Sequence, residues 1–263
     1  MKHNPKPPPS GNASLEKGLA LLNLIARDRG QTPLKELAAG LALPRSTLYR
    51  LINTLEGAGM ITKLEHRRYD IGLPLAKALH GITPAGQLAR LCRPALRQLA
   101  TACGATAHLG VMENDMVTYL VKESAPSVPA ALSISVENTQ LEAYCSGIGK
   151  VLLAWLPEAE RARYLAGGPF VALTARTITG PQQLRETLET VRAEQFARDD
   201  GEIAEDLYCL AVPLLNGDQS VCAAISLTFT HAGQIKHDDA TYLARLRACA
   251  ARLSLGGLAN IQR

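Results

Sequence analysis

The chain has 263 residues, room for one large domain or two modest ones. Its 47% hydrophobic and 20% charged residues allow a sizeable core and exclude a disordered chain. The net charge of +4 is uneven: residues 1–80 hold 12 Lys+Arg against 6 Asp+Glu, a local +6, and the remainder carries −2, so a polyanion-binding module is expected ahead of a slightly acidic body. No apolar run reaches the ~18–20 residues of a membrane span. The opening Met1-Lys2-His3-Asn4-Pro5 lacks the apolar segment of a secretory signal, so a cytoplasmic protein with no membrane partner is expected.

Residues 1–13, rich in proline, read as a disordered tail. Leu15, Leu19, Leu22 and Ala26 recur at helical spacing and predict a helix from Ser14 to about Asp28. Thr32 and Pro33 supply a cap and first position for a shorter helix, Pro33 to Ala39, which Gly40 stops. After the connection Gly40-Leu41-Ala42-Leu43, Pro44 opens a third helix to about Gly57. Two helices joined by so short a turn form a helix-turn-helix pattern.

In the third helix Leu48, Leu51, Ile52 and Leu55 make one apolar stripe, and Ser46, Arg50, Asn53 and Gly57 fall opposite. That outer face carries a cation, an amide and a hydroxyl but no carboxylate. Arg pairs bidentately with guanine, Asn with adenine, and Ser donates to a base or a phosphate. Arg45, Thr47 and Tyr49 flank the face near the helix N-terminus, where backbone N–H groups favour phosphate. The period then changes to two: Ile61–Leu64 and Arg68–Ile71 read as strands around a turn carrying His66, Arg67 and Arg68, the form of a wing. Residues 14–73 therefore spell a winged helix-turn-helix.

Helices from Leu75 to about His80 and from Pro84 to about Cys103, over 74–103, read as a linker, with Leu88, Leu91, Cys92, Ala95 and Leu99 on one face of the second. A dimer element and a helix packed on its own domain are both open there. Residues 104–263 read as one antiparallel sheet flanked by helices. Its expected parts are a hairpin over Glu113-Asn114, a strand Ala131–Val136, a loop entering a helix near Ser146, a helix Pro181–Phe196, two strands around Asn216-Gly217-Asp218, and a closing helix Asp238–Leu253. The fold class is α+β.

Other chemistry is weaker. Ser146 and Lys150 lack the Ser-x-x-Lys spacing of acylating enzymes, and Ser146 reads as a helix cap. The acidic run Asp199, Asp200, Glu202, Glu205, Asp206 reads as a solvated face, and Gly147-Ile148-Gly149-Lys150 lacks phosphate-loop spacing. His108 reads as a core residue. The cysteines 92, 103, 145, 209, 222 and 249 form no Cys-x-x-Cys pair and read as small buried hydrophobes. No metal, cofactor or catalytic residue is expected.

The order of motifs resembles the IclR family of bacterial transcriptional regulators over roughly residues 14–256. The resemblance is carried by Ser14–Leu22, Leu43–Leu55, Tyr69–Gly72, Ser146–Ala154, Thr174–Thr179, Asp199–Glu202, Cys209–Pro213 and Ala223–Ser226. It implies a GAF-like effector domain, homodimers through the N-terminal region and often homotetramers through the C-terminal one. It also implies a ligand-responsive repressor or activator of a catabolic operon that binds a palindromic double-stranded DNA operator and senses a small organic or aromatic acid. The family's pocket positions correspond here to Gly147, Ile148, Asp199, Cys209, Ser226 and Thr228. The chain departs from the pattern at Asp206, where glycine is usual, and at Tyr144-Cys145, where His-Ala is common; both are expected to border the pocket. The alternative is an enzyme or small-molecule carrier with an N-terminal docking module.

Overall fold

A computed structural model describes residues 12–128, 135–217, 219–230 and 239–256, and the chain divides into two compact units, Met1–Ile82 and Thr83–Arg263. In the first, α1 (Ala13–Asp28) begins one residue inside the expected tail because the Asn12 side chain caps it, accepting the Leu15 amide at 3.2 Å. Residues 1–11 of that tail lie outside the described residues. The second helix is shorter than predicted. It runs only over Leu34–Leu37 (α2) and tightens into a 3-10 turn at Ala38–Leu41. Thr32 does not cap it; the Thr32 amide donates instead to Asp28 Oδ2 at 2.8 Å, and Thr32 holds the Asp28 carboxyl below its ordinary range.

The residue that reverses the chain into the third helix is Ala42, at φ +49°, rather than Gly40. A left-handed alanine costs about 1–2 kcal/mol, of which glycine's greater freedom in the unfolded chain offsets about 0.5–1. Ala42→Gly should therefore stabilise this exposed turn by about 0.5–1 kcal/mol, read as slower hydrogen exchange at the Ile52 amide. Unchanged or faster exchange would count against a strained turn.

Helix α3 (Arg45–Gly57) buries Leu51 and Ile52 against Leu21, Ile25, Leu34, Ile61 and Tyr69, with Leu48 and Leu55 half-buried alongside. Strands β1 (Ile61–Lys63) and β2 (Tyr69–Ile71) pair antiparallel with Ile61 opposite Ile71. His66 and Arg67 turn between them at φ +59° and +56°. Helix α4 (Leu73–Ala78) starts two residues before the expected Leu75.

The helices expected to form a linker divide: α4 lies in the first unit, whereas α5 (Pro84–Cys103) packs in the second. Leu91, expected inward, is 47% exposed, and Leu96 takes its place in the core. The sheet has the order β5-β4-β3-β8-β7-β6 with every pair antiparallel. Its strands are β3 (Thr106–Glu113), β4 (Met116–Ser124), β5 (Gln140–Glu142), β6 (Ala197–Asp200), β7 (Tyr208–Leu215) and β8 (Val221–Phe229). Asn114 and Asp115, both at positive φ, close the β3–β4 hairpin one residue later than predicted.

One core cluster joins α5, the sheet and α9 (Asp239–Gly256). The other joins the sheet to α6 (Gly147–Trp155), α7 (Glu158–Ala166) and α8 (Pro181–Glu194). The α+β architecture is as expected. Strands β5 and β6 and helix α7 are additions to the predicted elements. Most of the predicted strand Ala131–Val136 lies outside the described residues, as does Asp218 of the predicted turn.

Candidate functional site

The first unit presents a basic face. Pro44 occupies the cap position of α3 and provides no side-chain acceptor, so the first-turn amides of Arg45, Ser46 and Thr47 stay open to an anion. Ser46, Arg50 and Asn53 are all exposed on the face opposite the buried stripe. Beside them a groove runs between α2, α3 and the β1–β2 hairpin, and Arg45, Tyr49, His66 and Arg67 from the predicted set line it. Lys35 and Lys63 line it too. Sequence reasoning missed both, although their positive charge in the basic third of the chain was a usable signal.

Two nominated residues are less available than expected. Thr47 is half-buried, and Arg68 is half-buried with its Nε donating to the Glu65 carbonyl at 3.3 Å, so it braces the wing turn.

The second unit holds a cavity of about 560 Å3, counting its mouth, between strands β3, β4, β6, β7 and β8 and the start of α6. Gly147, Asp199, Cys209 and Thr228 line it as the sequence suggested. Gly147 packs closely against β7: a Cβ there would lie 3.2 Å from Cys209 Sγ and 3.3 Å from Ala211 Cβ. Strand register sets Asp199 opposite Cys209, and Cys209 opposite Thr228.

Ile148 and Ser226 do not line the cavity. The Ile148 side chain is buried beneath Gly110, where a Cβ would meet it at 2.8 Å. Ser226 Oγ stands behind the wall, 3.5 Å from His108 Nδ1. Tyr144, Cys145 and Asp206 are also absent from the lining; Tyr144 stacks on Phe170 at 4.7 Å and donates to the Val171 carbonyl at 2.8 Å, and Asp206 is exposed.

The remaining polar lining comes from residues the sequence reading did not assign to the site, including His108, Tyr119, Ser135 and Ser146. Polar residues at alternate positions of an apolar strand, Thr106 and His108, were the available signal. His108 Nε2 lies 2.7 Å from Ser135 Oγ, and its Nδ1 lies 3.4 Å from Thr228 Oγ1. Burial, with Lys122 nearby, pulls the imidazole down to about 3, so it is neutral. Burial pushes the Asp199 carboxyl up to about 7 and the Cys209 thiol up to about 11, and it raises the Tyr119 phenol strongly.

Asp199 and Glu202, expected on a solvated face, are instead 2% and 6% exposed. Strand β6 carries Asp199 inward, where its Oδ1 accepts the Glu202 amide at 2.7 Å. Glu202 Oε1 pairs with Lys150 Nζ, and burial raises the Glu202 carboxyl while Lys150 opposes that shift. Ser146 is a cap: its hydroxyl accepts the Gly149 amide and donates to the Glu142 carbonyl, both at 3.1 Å. Ser146 and Lys150, considered as nucleophile and base, are thus committed to the α6 cap and to Glu202. No three metal-ligating side chains converge among the described residues, and no described helix is long and apolar enough to cross a membrane.

Residues 14–65 match the IclR helix-turn-helix domain, and residues 81–255 match the family described as bacterial transcriptional regulator IclR C-terminal. The chain is 34% identical over 245 residues to the uncharacterized HTH-type transcriptional regulator RhmR of Escherichia coli (strain K12), covering 92% of each. It is 29% identical to the HTH-type transcriptional regulator KdgR of the same organism, covering 94% of this chain and 93% of that one. A solved IclR homolog from Microbacterium hydrocarbonoxydans, complexed with 4-hydroxybenzoate, shares the fold at 20% identity and a TM-score of 0.60, covering 92% of this chain and 98% of that one. With an exposed polar helix face in one unit and an open cavity carrying several polar side chains in the other, the chain belongs to the IclR family of bacterial transcriptional regulators, DNA-binding proteins with an effector-binding domain.

Proposed function

We propose that this regulator reads a palindromic operator as a homodimer and senses a small organic or aromatic acid in the cavity of its second unit. It acts in the cytoplasm as a receptor and not as an enzyme, and it governs an operon whose products consume that acid. The observation that carries the reading is the outer face of α3, where Ser46, Arg50 and Asn53 are exposed without a carboxylate among them. Arg45, Tyr49, His66 and Arg67 grip phosphate beside it, with Thr47 and Arg68 at the margin. The two half-sites lie about one or more helical turns apart.

Support for the ligand comes from the hydroxyl-lined cavity around Gly147, Asp199, Cys209 and Thr228, and from the aromatic acid held by the Microbacterium homolog. The acid must prefer one arrangement of the paired winged helices, since equal affinity for both shifts nothing.

Gel-shift titration against operator and scrambled duplexes tests the reading. Arg50→Ala should reduce the discrimination between them by about 1–3 kcal/mol while leaving non-specific binding near its original strength. Affinity for both duplexes should fall steeply as salt rises. Unchanged discrimination would remove Arg50 as a base reader. Binding indifferent to salt would remove the phosphate grip.

A further inference from the structure

We infer that the cavity takes up one proton with each carboxylate effector, the proton being shared between the effector and the Asp199 carboxyl. This rests on the proposal that the effector is an acid, and it adds what the site must do to the acid's charge.

No Lys or Arg is among the described residues lining the cavity. The cation nearest Asp199 is Lys150 of α6, and it is already paired with Glu202 in a buried contact. Asp199, ionised, leaves that trio with a net charge of −1, and an anionic effector beside it would make −2 in a place where each uncompensated ion costs several kcal/mol. The open first-turn amides at Gly147 and Ile148 supply only partial positive charge. A proton resolves the conflict: the acid form of Asp199 donates to the effector's carboxylate in a charge-assisted O–H···O bond, and the proton comes from solvent.

The groups facing Asp199 leave it as the site of uptake. They are Tyr119 on β4, Cys145 ahead of α6, Lys150 on α6, Glu202 after β6, and Cys209 on β7. Tyr119, Cys145 and Cys209 are neutral because burial raises them. On β3, His108 is the other candidate, but burial and Lys122 of β4 hold it neutral far below physiological pH. Asp199 is already half-protonated near pH 7, so a neighbouring carboxylate needs to move it little.

The test uses the full chain and four probes, 4-hydroxybenzoate, benzoate, pyruvate and glycolate, each beside its primary amide. Isothermal titration in two buffers of different ionisation enthalpy counts the protons. Each acid that binds should take up close to one proton per site at pH 8, and its affinity should fall about tenfold per pH unit above pH 7. Asp199→Asn, whose amide also donates, should bind the same acid with no uptake and a flat profile.

An acid bound without uptake, or uptake that survives Asp199→Asn, overturns the inference and leaves the acid reading intact. Binding of amides alone, or silence from the whole panel, overturns both.

Discussion

Replacing Lys150 with methionine should destabilise the effector-binding unit by about 3–5 kcal/mol, because the loss of one partner strands the other's charge in the interior. The Lys150 and Glu202 side chains are 3% and 9% exposed, and among the described residues Glu202 Oε2 has no hydrogen-bond partner of normal geometry. The Ile178 amide, which also favours the ionised Glu202 carboxyl, brings only a partial positive charge and does not replace the ammonium. The loss should shrink as pH falls. Burial already raises the Glu202 carboxyl, so acid conditions let it take a proton and remove the stranded charge. Lys150→Met combined with Glu202→Leu should recover most of the loss, since removing both charges removes the desolvation cost as well. The chain's single tryptophan, Trp155, stands at the end of α6 in the same unit, so its fluorescence during urea unfolding reports this unit specifically. A loss below about 1 kcal/mol would show that water reaches the pair.

Gly149→Ala should be comparably damaging for a steric reason. A Cβ at Gly149 would stand 2.1 Å from the Ala143 carbonyl oxygen and 2.4 Å from its Cα, both backbone atoms that no rotamer change can move. Alanine gains about 1 kcal/mol over glycine inside a helix. The overlap costs about 3 kcal/mol or more, because α6 must back away from the segment that leads into it. The same substitution at Gly57, where a Cβ meets nothing within 4 Å, keeps the propensity gain without the clash and should be neutral or stabilising. If the two variants unfold alike, close packing at the head of α6 is not what holds this wall of the cavity.

Much of the fold was legible because its signals are local. The stripe of Leu48, Leu51, Ile52 and Leu55 fixed both the helix and its outward face, and Thr83, Pro84 and Gly104 bracket α5 with a cap, a first-turn proline and a left-handed stop. What escaped notice depends on tertiary context. Strand β6 reads Ala-Arg-Asp-Asp, which no propensity favours as strand; it forms because β7 supplies its hydrogen bonds and the interior supplies Lys150 for the Glu202 that follows.

Pairing across the sheet explains the site in the same way. Asp199 and Cys209 were nominated by resemblance, whereas Tyr119 and His108 reach the cavity through the antiparallel register of β4 with β3 and of β3 with β8; alternation along β3 marks the face of His108 but not its partners across the sheet. Ile148 and Ser226 show the converse: Ile148, next to Gly147, turns into the core, and Ser226, on the same strand face as Thr228, lies buried against the His108 ring.

Helix α3, the proposed reading helix, divides its labour between two sides. Leu51 and Ile52 carry the packing, while Ser46, Arg50 and Asn53 touch none of it. On the proposed reading, descendants of this chain can therefore acquire a different target sequence through single exchanges at those three positions, without passing through unstable intermediates. Divergence within such a lineage should concentrate on that side of the helix and spare the other.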